Sequence, residues 1–280
     1  MTRRLLAVSL LLCSAIAARS ADLEPTKNAG PYVPSPDSVV SRLLRYADVG
    51  PADFVIDLGS GDGRIVLTAA KEFGARGFGV EIKEDLVRLA NEAARKQGVA
   101  DRAKFLKQDL FKTDVSQATV VTMYLLPDTV NMLKDKFLAE LKPGTRIVSH
   151  DYGLSGWLPE KIDQFDLEDK VHISGVTTTI IWLYVVPAKV AGRWTVQVPP
   201  SVSKQPISLE LKQQITRVSG TARVGGKDVP LEDIKLQGDR LSFKLTGRKG
   251  EFTGQVKEKS IEGTVETGNS KAPWSAALAG

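Results

Sequence analysis

Cysteine is almost absent from this 280-residue chain: Cys13 is the only one, and histidine is nearly as scarce, with His150 and His172 alone. No internal disulfide can therefore form, and the fold must stand on its core. No cluster of His, Cys and acidic residues shows metal-ligand spacing, so no metal is expected. The strained Gly-x-Ser-x-Gly pattern of a serine hydrolase is missing as well, which excludes that arrangement of Ser, His and Asp. The apolar run Leu5 to Leu12 is far shorter than the roughly 20 residues that cross a bilayer. Nor does charge of one sign gather anywhere. The formal net charge is +5, but lysines and arginines interleave with acids along the chain, so no nucleic-acid groove is expected.

The N-terminus has the layout of an export signal: Arg3 and Arg4, the apolar run, then Ser14, Ala15, Ala17 and Ala18 before a polar stretch. Residues 1–21 are read as a signal peptide cleaved near Ala17 to Ala21, giving a periplasmic or secreted protein with no transmembrane helix in its mature chain. An uncleaved membrane anchor and a chance apolar start to a cytoplasmic protein are the alternatives. Leu10, Leu11 and Leu12 before Cys13 argue against a lipoprotein signal. Thr2-Arg3-Arg4-Leu5-Leu6 resembles a twin-arginine signal, whose pathway carries folded proteins. Removal of Arg3, Arg4 and Arg19 leaves a net charge of about +2.

With 42% apolar and 25% charged residues, the chain can fill real cores, and its length suits two domains. From Pro31, short apolar runs alternate with amphipathic stretches, the pattern of a parallel sheet covered by helices. Helices are expected at Val39 to Tyr46, Ile65 to Phe73, Asp85 to Gln97 (with Leu86, Leu89, Ala90 and Ala93 on its inner face) and Thr129 to Leu141. Strands are expected at Phe54 to Leu58, Phe78 to Glu81, Lys104 to Leu106, Thr119 to Leu125 and Arg146 to His150. Val171 to Ser174 and Thr177 to Val186 read as an antiparallel edge hairpin across Gly175, closing a domain over 31–187.

Beyond Gly192 no helical period survives. Leu209 to Leu211, Leu241 to Leu245 and Phe252 to Val256 alternate apolar and polar positions between turn signals, so 192–280 reads as a small antiparallel sandwich or barrel. Val218-Ser219-Gly220-Thr221, Phe252-Thr253-Gly254-Gln255 and Ile261-Glu262-Gly263-Thr264 form a faint repeat. Val198-Pro199-Pro200-Ser201 reads as a loop within it, because Trp194-Thr195-Val196 is already a strand.

The chemistry gathers at Asp57-Leu58-Gly59-Ser60-Gly61-Asp62-Gly63, a glycine turn between a buried strand and a helix. Dinucleotide sites space their glycines as G-x-G-x-x-G; here Gly59, Gly61 and Gly63 alternate strictly and follow an acid. Glu81 ends the second strand, where a carboxylate can accept both hydroxyls of a ribose. Asp109 follows the third. All lie at the rim of a parallel sheet where α/β ligands bind.

These motifs resemble the nucleotide site of class I S-adenosylmethionine-dependent methyltransferases, over roughly residues 31–186. Pro31-Tyr32-Val33-Pro34, Asp57 to Val66, Tyr124-Leu125-Leu126-Pro127 and Arg146 to His150 are together similar to the lysine N-methyltransferases that modify the ATP synthase c-subunit and the adenine nucleotide translocase. The resemblance implies a Rossmann-like sheet with S-adenosylmethionine as cofactor. It places Asp57, Gly59, Gly61 and Gly63 on the methionine part, Glu81 on the ribose and Asp109 on the adenine amine. It also implies a protein lysine as acceptor, with a membrane-associated protein as the natural partner.

Tyr124 and Pro127 then fall where the group to be methylated is held, and Tyr32 where an arm can fold over the site. A lysine amine, with an ordinary pKa of about 10.4, must shed a proton before attack; Asp151 or a water can take it. A small-molecule methyltransferase and a non-catalytic exported binding protein remain rival readings. The sequence leaves the oligomeric state open.

Overall fold

The computed structural model describes residues 32–279; the expected signal peptide, Cys13 and Pro31 lie outside the described residues. The first domain is a seven-stranded sheet ordered β3-β2-β1-β4-β5-β7-β6. Strands β1 (Phe54–Leu58), β2 (Arg76–Glu81), β3 (Ala103–Lys107), β4 (Val120–Met123) and β5 (Arg146–His150) are parallel; at one edge β7 (Thr178–Val185) pairs antiparallel with β5 and, on its other side, antiparallel with β6 (Lys161–Asp166).

Burial on both faces explains the near-continuous apolar strands at the centre. Val55, Val120 and Val148 pack under Val40, Leu43 and Leu44 of α1 (Asp37–Tyr46) and under Ile65 and Ala69 of α2 (Arg64–Glu72). On the opposite face Ile56, Val121 and Ile147 meet Val130 of α4 (Pro127–Met132) and Phe137 of α5 (Lys134–Glu140).

Three expectations are corrected. The helix expected over Thr129 to Leu141 is two: Pro127 takes the first-turn position that its missing N–H favours, and Leu133, fully buried, joins α4 to α5. In α3 (Glu84–Lys96) the buried residues are Ala90 and Ala94, while Leu89 is 49% exposed. Asn91 fixes that rotation by hydrogen-bonding the edge strand at Phe105 twice, Nδ2 donating to the carbonyl and Oδ1 accepting from the amide.

The edge hairpin pairs β7 with β6, not with Val171 to Ser174. The latter is a single helical turn, α6 (Val171–Ser174), ended by Gly175 at φ 75°, the left-handed conformation that glycine adopts without strain. The strand itself is disguised by charge: Arg42 of α1 pairs with Asp163 and lies 3.8 Å from the centre of the Phe165 ring.

The second domain is a closed eight-stranded antiparallel barrel. Its strands are β8 (Gly192–Gln197), β9 (Ile207–Gln214), β10 (Arg217–Val224), β11 (Lys227–Gln237), β12 (Arg240–Leu245), β13 (Glu251–Lys257), β14 (Ser260–Thr267) and β15 (Ser270–Leu278). Phe243 stacks on Phe252 at 5.0 Å, and Trp274 meets both edge-on. The faint repeat marks close approaches of strands: Gly254 pairs with Gly263, where a Cβ would sit 1.9 Å from the Thr253 carbonyl oxygen. Among the described residues, no helix is long and apolar enough to cross a membrane.

The barrel is fastened to the sheet where β5 begins and β7 ends. Ala188 N donates to the Gly238 carbonyl, Gln237 donates to Glu160, and Gln213 bonds the connecting segment at Ala188 and Val190. Ile215, at the β9–β10 turn, packs against the core of the first domain. Ile215→Asp puts a charge into that contact, at a cost of about 1–3 kcal/mol. The expected result by calorimetry is a single thermal transition in the parent and two in the variant, each domain melting separately; one unchanged transition would refute this coupling.

Candidate functional site

The five parallel strands end at one rim, around a cavity of about 400 Å³, within the roughly 300–1,000 Å³ usual for small ligands. Asp57, Gly59, Ser60, Gly61, Asp62, Glu81, Asp109, Tyr124 and Tyr32 all line it. Of the cofactor-binding residues expected from the sequence, Asp57, Gly59, Gly61, Glu81 and Asp109 meet there, whereas Gly63 does not: it caps α2 at φ 85° and packs against Phe105 and Ala90.

The turn spends its own amides on the protein. Gly59 N and Ser60 N donate to the Val80 carbonyl, Gly63 N donates to that of Ser60, and Gly61 N donates to Glu81 Oε2. Those donors are not left to cradle a phosphate, so the geometry separates this turn from a dinucleotide site. Gly61 takes φ 53°, and a Cβ there would lie 2.3 Å from the Tyr32 ring. Glycine is needed because the segment before α1 folds directly over the turn.

That arm is held by Arg64, the first residue of α2. Its Nη1 donates to the Ser35 carbonyl at 2.7 Å, while its Nη2 pairs with Asp62 at 2.6 Å. Burial works against the Asp62 carboxylate, but the Arg64 hydrogen bond and charge outweigh it and hold this acid below its ordinary range. Arg64, Ser35 and Asp62 as site residues went unrecognised in the sequence; only the arginine directly after the glycine turn could have signalled them.

Asp57 is different. It is 2% exposed, with Thr122 donating to its Oδ1 at 2.7 Å. Burial raises its pKa to about 7 despite that hydrogen bond, and the charges of Asp62 and Glu81 add to the rise. Glu81 is better served: its Oε1 accepts from the amides of Ile82 and Lys83. Asp109 caps the short 3₁₀ turn Leu110–Lys112 by accepting from Phe111 N.

On the other side of the cavity Tyr124 stacks against His150, ring centres 4.0 Å apart. Burial raises the pKa of the Tyr124 hydroxyl, and the charge of Asp151 and a hydrogen bond to it raise it further. His150 is 1% exposed; burial lowers its pKa to about 4, so it is neutral at pH 7. Its Nδ1 lies 2.9 Å from Ser35 Oγ, which ties the arm to β5. Asp151 stands behind Tyr124 rather than on the cavity wall, ion-paired with Lys170 at 2.6 Å. Pro127 does not line the cavity either, being occupied with opening α4.

The raised Asp57 value has a definite sign. The fold favours the neutral acid, so its contribution to stability is full below about pH 4 and is lost as pH rises through about 7. Asp57→Asn keeps the oxygen that accepts from Thr122 and removes the charge. It is expected to stabilise the ligand-free protein more at pH 8 than at pH 5, by up to about 3 kcal/mol. Chemical denaturation at both pH values measures this, and an equal effect at each would contradict the assignment.

A family model described as the ANTKMT methyltransferase domain matches residues 57–161. A protein-lysine N-methyltransferase of Saccharolobus islandicus is 46% identical over 157 residues, covering 56% of this chain and 93% of that protein. The adenine nucleotide translocase lysine N-methyltransferase of Mus musculus is 34% identical over 163 residues, and this chain spans 66% of its length. Among solved structures, an RNA methyltransferase from Salinibacter ruber in complex with S-adenosyl-L-homocysteine is 44% identical with a TM-score of 0.51, covering 56% of this chain and 96% of that one.

Proposed function

This chain belongs to the family of S-adenosylmethionine-dependent protein-lysine N-methyltransferases, and from that premise we propose that its α/β domain methylates the side-chain amine of a protein lysine. The observation that carries the cofactor assignment is the charge of the cavity. Asp57, Asp62, Glu81 and Asp109 line it against Arg64 and Lys83, an excess of acids that suits a ligand bearing an ammonium and a sulfonium. Asp57 and the turn would hold the methionine part, Glu81 the ribose hydroxyls and Asp109 the adenine amine.

The cofactor supplies a methyl on a good leaving group, so in-line placement of the amine is the chief demand on the protein. Tyr124, kept protonated and donating to Asp151, offers its oxygen lone pairs to an N–H of the incoming amine. Leu125 and Ile82 on the cavity wall exclude water and so favour the neutral amine over the ammonium. Ile82 at 64%, Leu126 at 42% and Tyr152 at 38% exposure give the rim an apolar border. That border supports an acceptor lysine set among apolar residues, as on a membrane-associated protein.

Calorimetry with S-adenosylmethionine tests the site: micromolar binding is expected in the full chain, and Asp57→Ala and Glu81→Ala should each weaken it by at least about tenfold. Absence of heat with the parent would sink the enzyme reading. The Salinibacter ruber relative supports a second acceptor, RNA. Tritiated methyl groups transferred in a cell extract should become soluble after protease and not after nuclease; the reverse outcome selects RNA, and label confined to small molecules or lipids removes both.

We likewise infer export, supported by Arg3, Arg4 and the apolar run after them. A cofactor made in the cytosol would then have to travel with the folded protein, as the twin-arginine resemblance allows. Fractionation of cells expressing the full chain decides it. A shortened chain outside the cytoplasm is expected, and an uncleaved soluble cytosolic chain would refute export.

A further inference from the structure

Lys170 is a buried cation without a part in the scheme above. It is 3% exposed and ends the 3₁₀ turn Glu168–Lys170 between β6 and β7. Its Nζ donates to Asp151 Oδ1 at 2.6 Å and to the Thr178 carbonyl. Burying an ammonium is costly unless it is paired and hydrogen-bonded, and both requirements are met here. Asp151 is also held unusually: its backbone is at φ 63°, a conformation that a non-glycine residue keeps only when its surroundings enforce it. Those surroundings are β7, where Ile180 N donates to Oδ1 and Trp182 Nε1 donates to the Asp151 carbonyl. The remaining titratable neighbours are Tyr124, whose hydroxyl bonds the carboxylate, its neighbour Tyr152, and His150, whose Nε2 lies 3.6 Å from Oδ1.

Resting on the methyltransferase reading, we propose that Lys170 is a positioning residue: it occupies Asp151 so that the carboxylate orients the Tyr124 hydroxyl instead of pairing with the incoming lysine ammonium. The Asp151 side chain is 12% exposed and stands one hydrogen bond behind a residue that lines the cavity. With no internal cation on it, that carboxylate would bind the protonated form of the substrate, which has no lone pair for attack. A carboxylate that stabilises the ammonium more than the transition state slows the reaction. Lys170 thus stands as a permanent internal substitute for the charge the substrate must lose.

The probe is n-butylammonium, the lysine side chain without its backbone, titrated at pH 7 into the full chain saturated with S-adenosylhomocysteine and followed by NMR. Lys170→Met should bind it about tenfold or more tightly than the parent, and Asp151→Asn about tenfold or more weakly. The double variant, which removes both charges, should return to within about threefold of the parent. Opposite shifts from the two single variants are what a packing role would not produce. Equal affinity in Lys170→Met and parent, a shift of both single variants in the same direction, or no binding to any of the proteins overturns the inference. If Lys170→Met does not fold, Asp151→Asn against the double variant decides: affinity restored in the double variant supports the proposal and equal weakness refutes it. Failure of the parent to bind S-adenosylhomocysteine would instead strike the cofactor reading.

Discussion

A carboxylate at the end of β1, sealed from water and answered by a single hydroxyl, is the constraint around which this domain is arranged. Four acids face one cavity, and the protein compensates them unequally. Asp109 accepts from the Phe111 amide. Arg64 neutralises Asp62, and two backbone amides solvate Glu81 Oε1. Asp57 has Thr122 and otherwise burial and like charges, which lift its pKa to about 7. A buried charge in that state calls for a cation. The site therefore encodes the sign of its ligand and the place where the positive group goes, as well as the shape that glycines allow.

The same constraint accounts for the arm before α1. Tyr32 covers Gly61, Arg64 grips the Ser35 carbonyl while pairing with Asp62, and Ser35 Oγ meets His150. His150 in turn stacks on Tyr124. One line of contacts thus runs from the cofactor turn to the acceptor side of the cavity. A neutral His150 suits this role, since a charged ring would compete with Lys170 for Asp151.

How much of this could be read from the sequence follows from what each feature depends on. The strand ends at Asp57 and Glu81 and the alternating glycines are local: burial demands apolar runs, and positive φ demands glycine. They were readable for that reason, as were the barrel's alternating strands. Features that depend on partners far along the chain were not. The edge strand β6 hid because its inward side is covered by an arginine rather than by apolar residues. Lys170, lying 19 residues from Asp151, carries no motif of its own. The inner face of α3 was misjudged because Asn91, a polar residue, sets its rotation by satisfying the edge of β3.

The barrel adds a geometric argument about how the enzyme works. Its attachments, at Gly144 and Val185 beside Gly238 and at Glu160, all lie at the rim where β5 begins and β7 ends. The cavity opens at the opposite rim, where β1, β2 and β4 end. A domain fixed at the far end of the strands cannot close over the cofactor or contribute a side chain to the reacting atoms. The first domain must then enclose its own ligand, and the arm and Tyr124 line the cavity for it. What remains for the barrel is to place that domain relative to something else, and its fastening through Gln213, Ile215 and Gln237 makes such placement rigid rather than tethered.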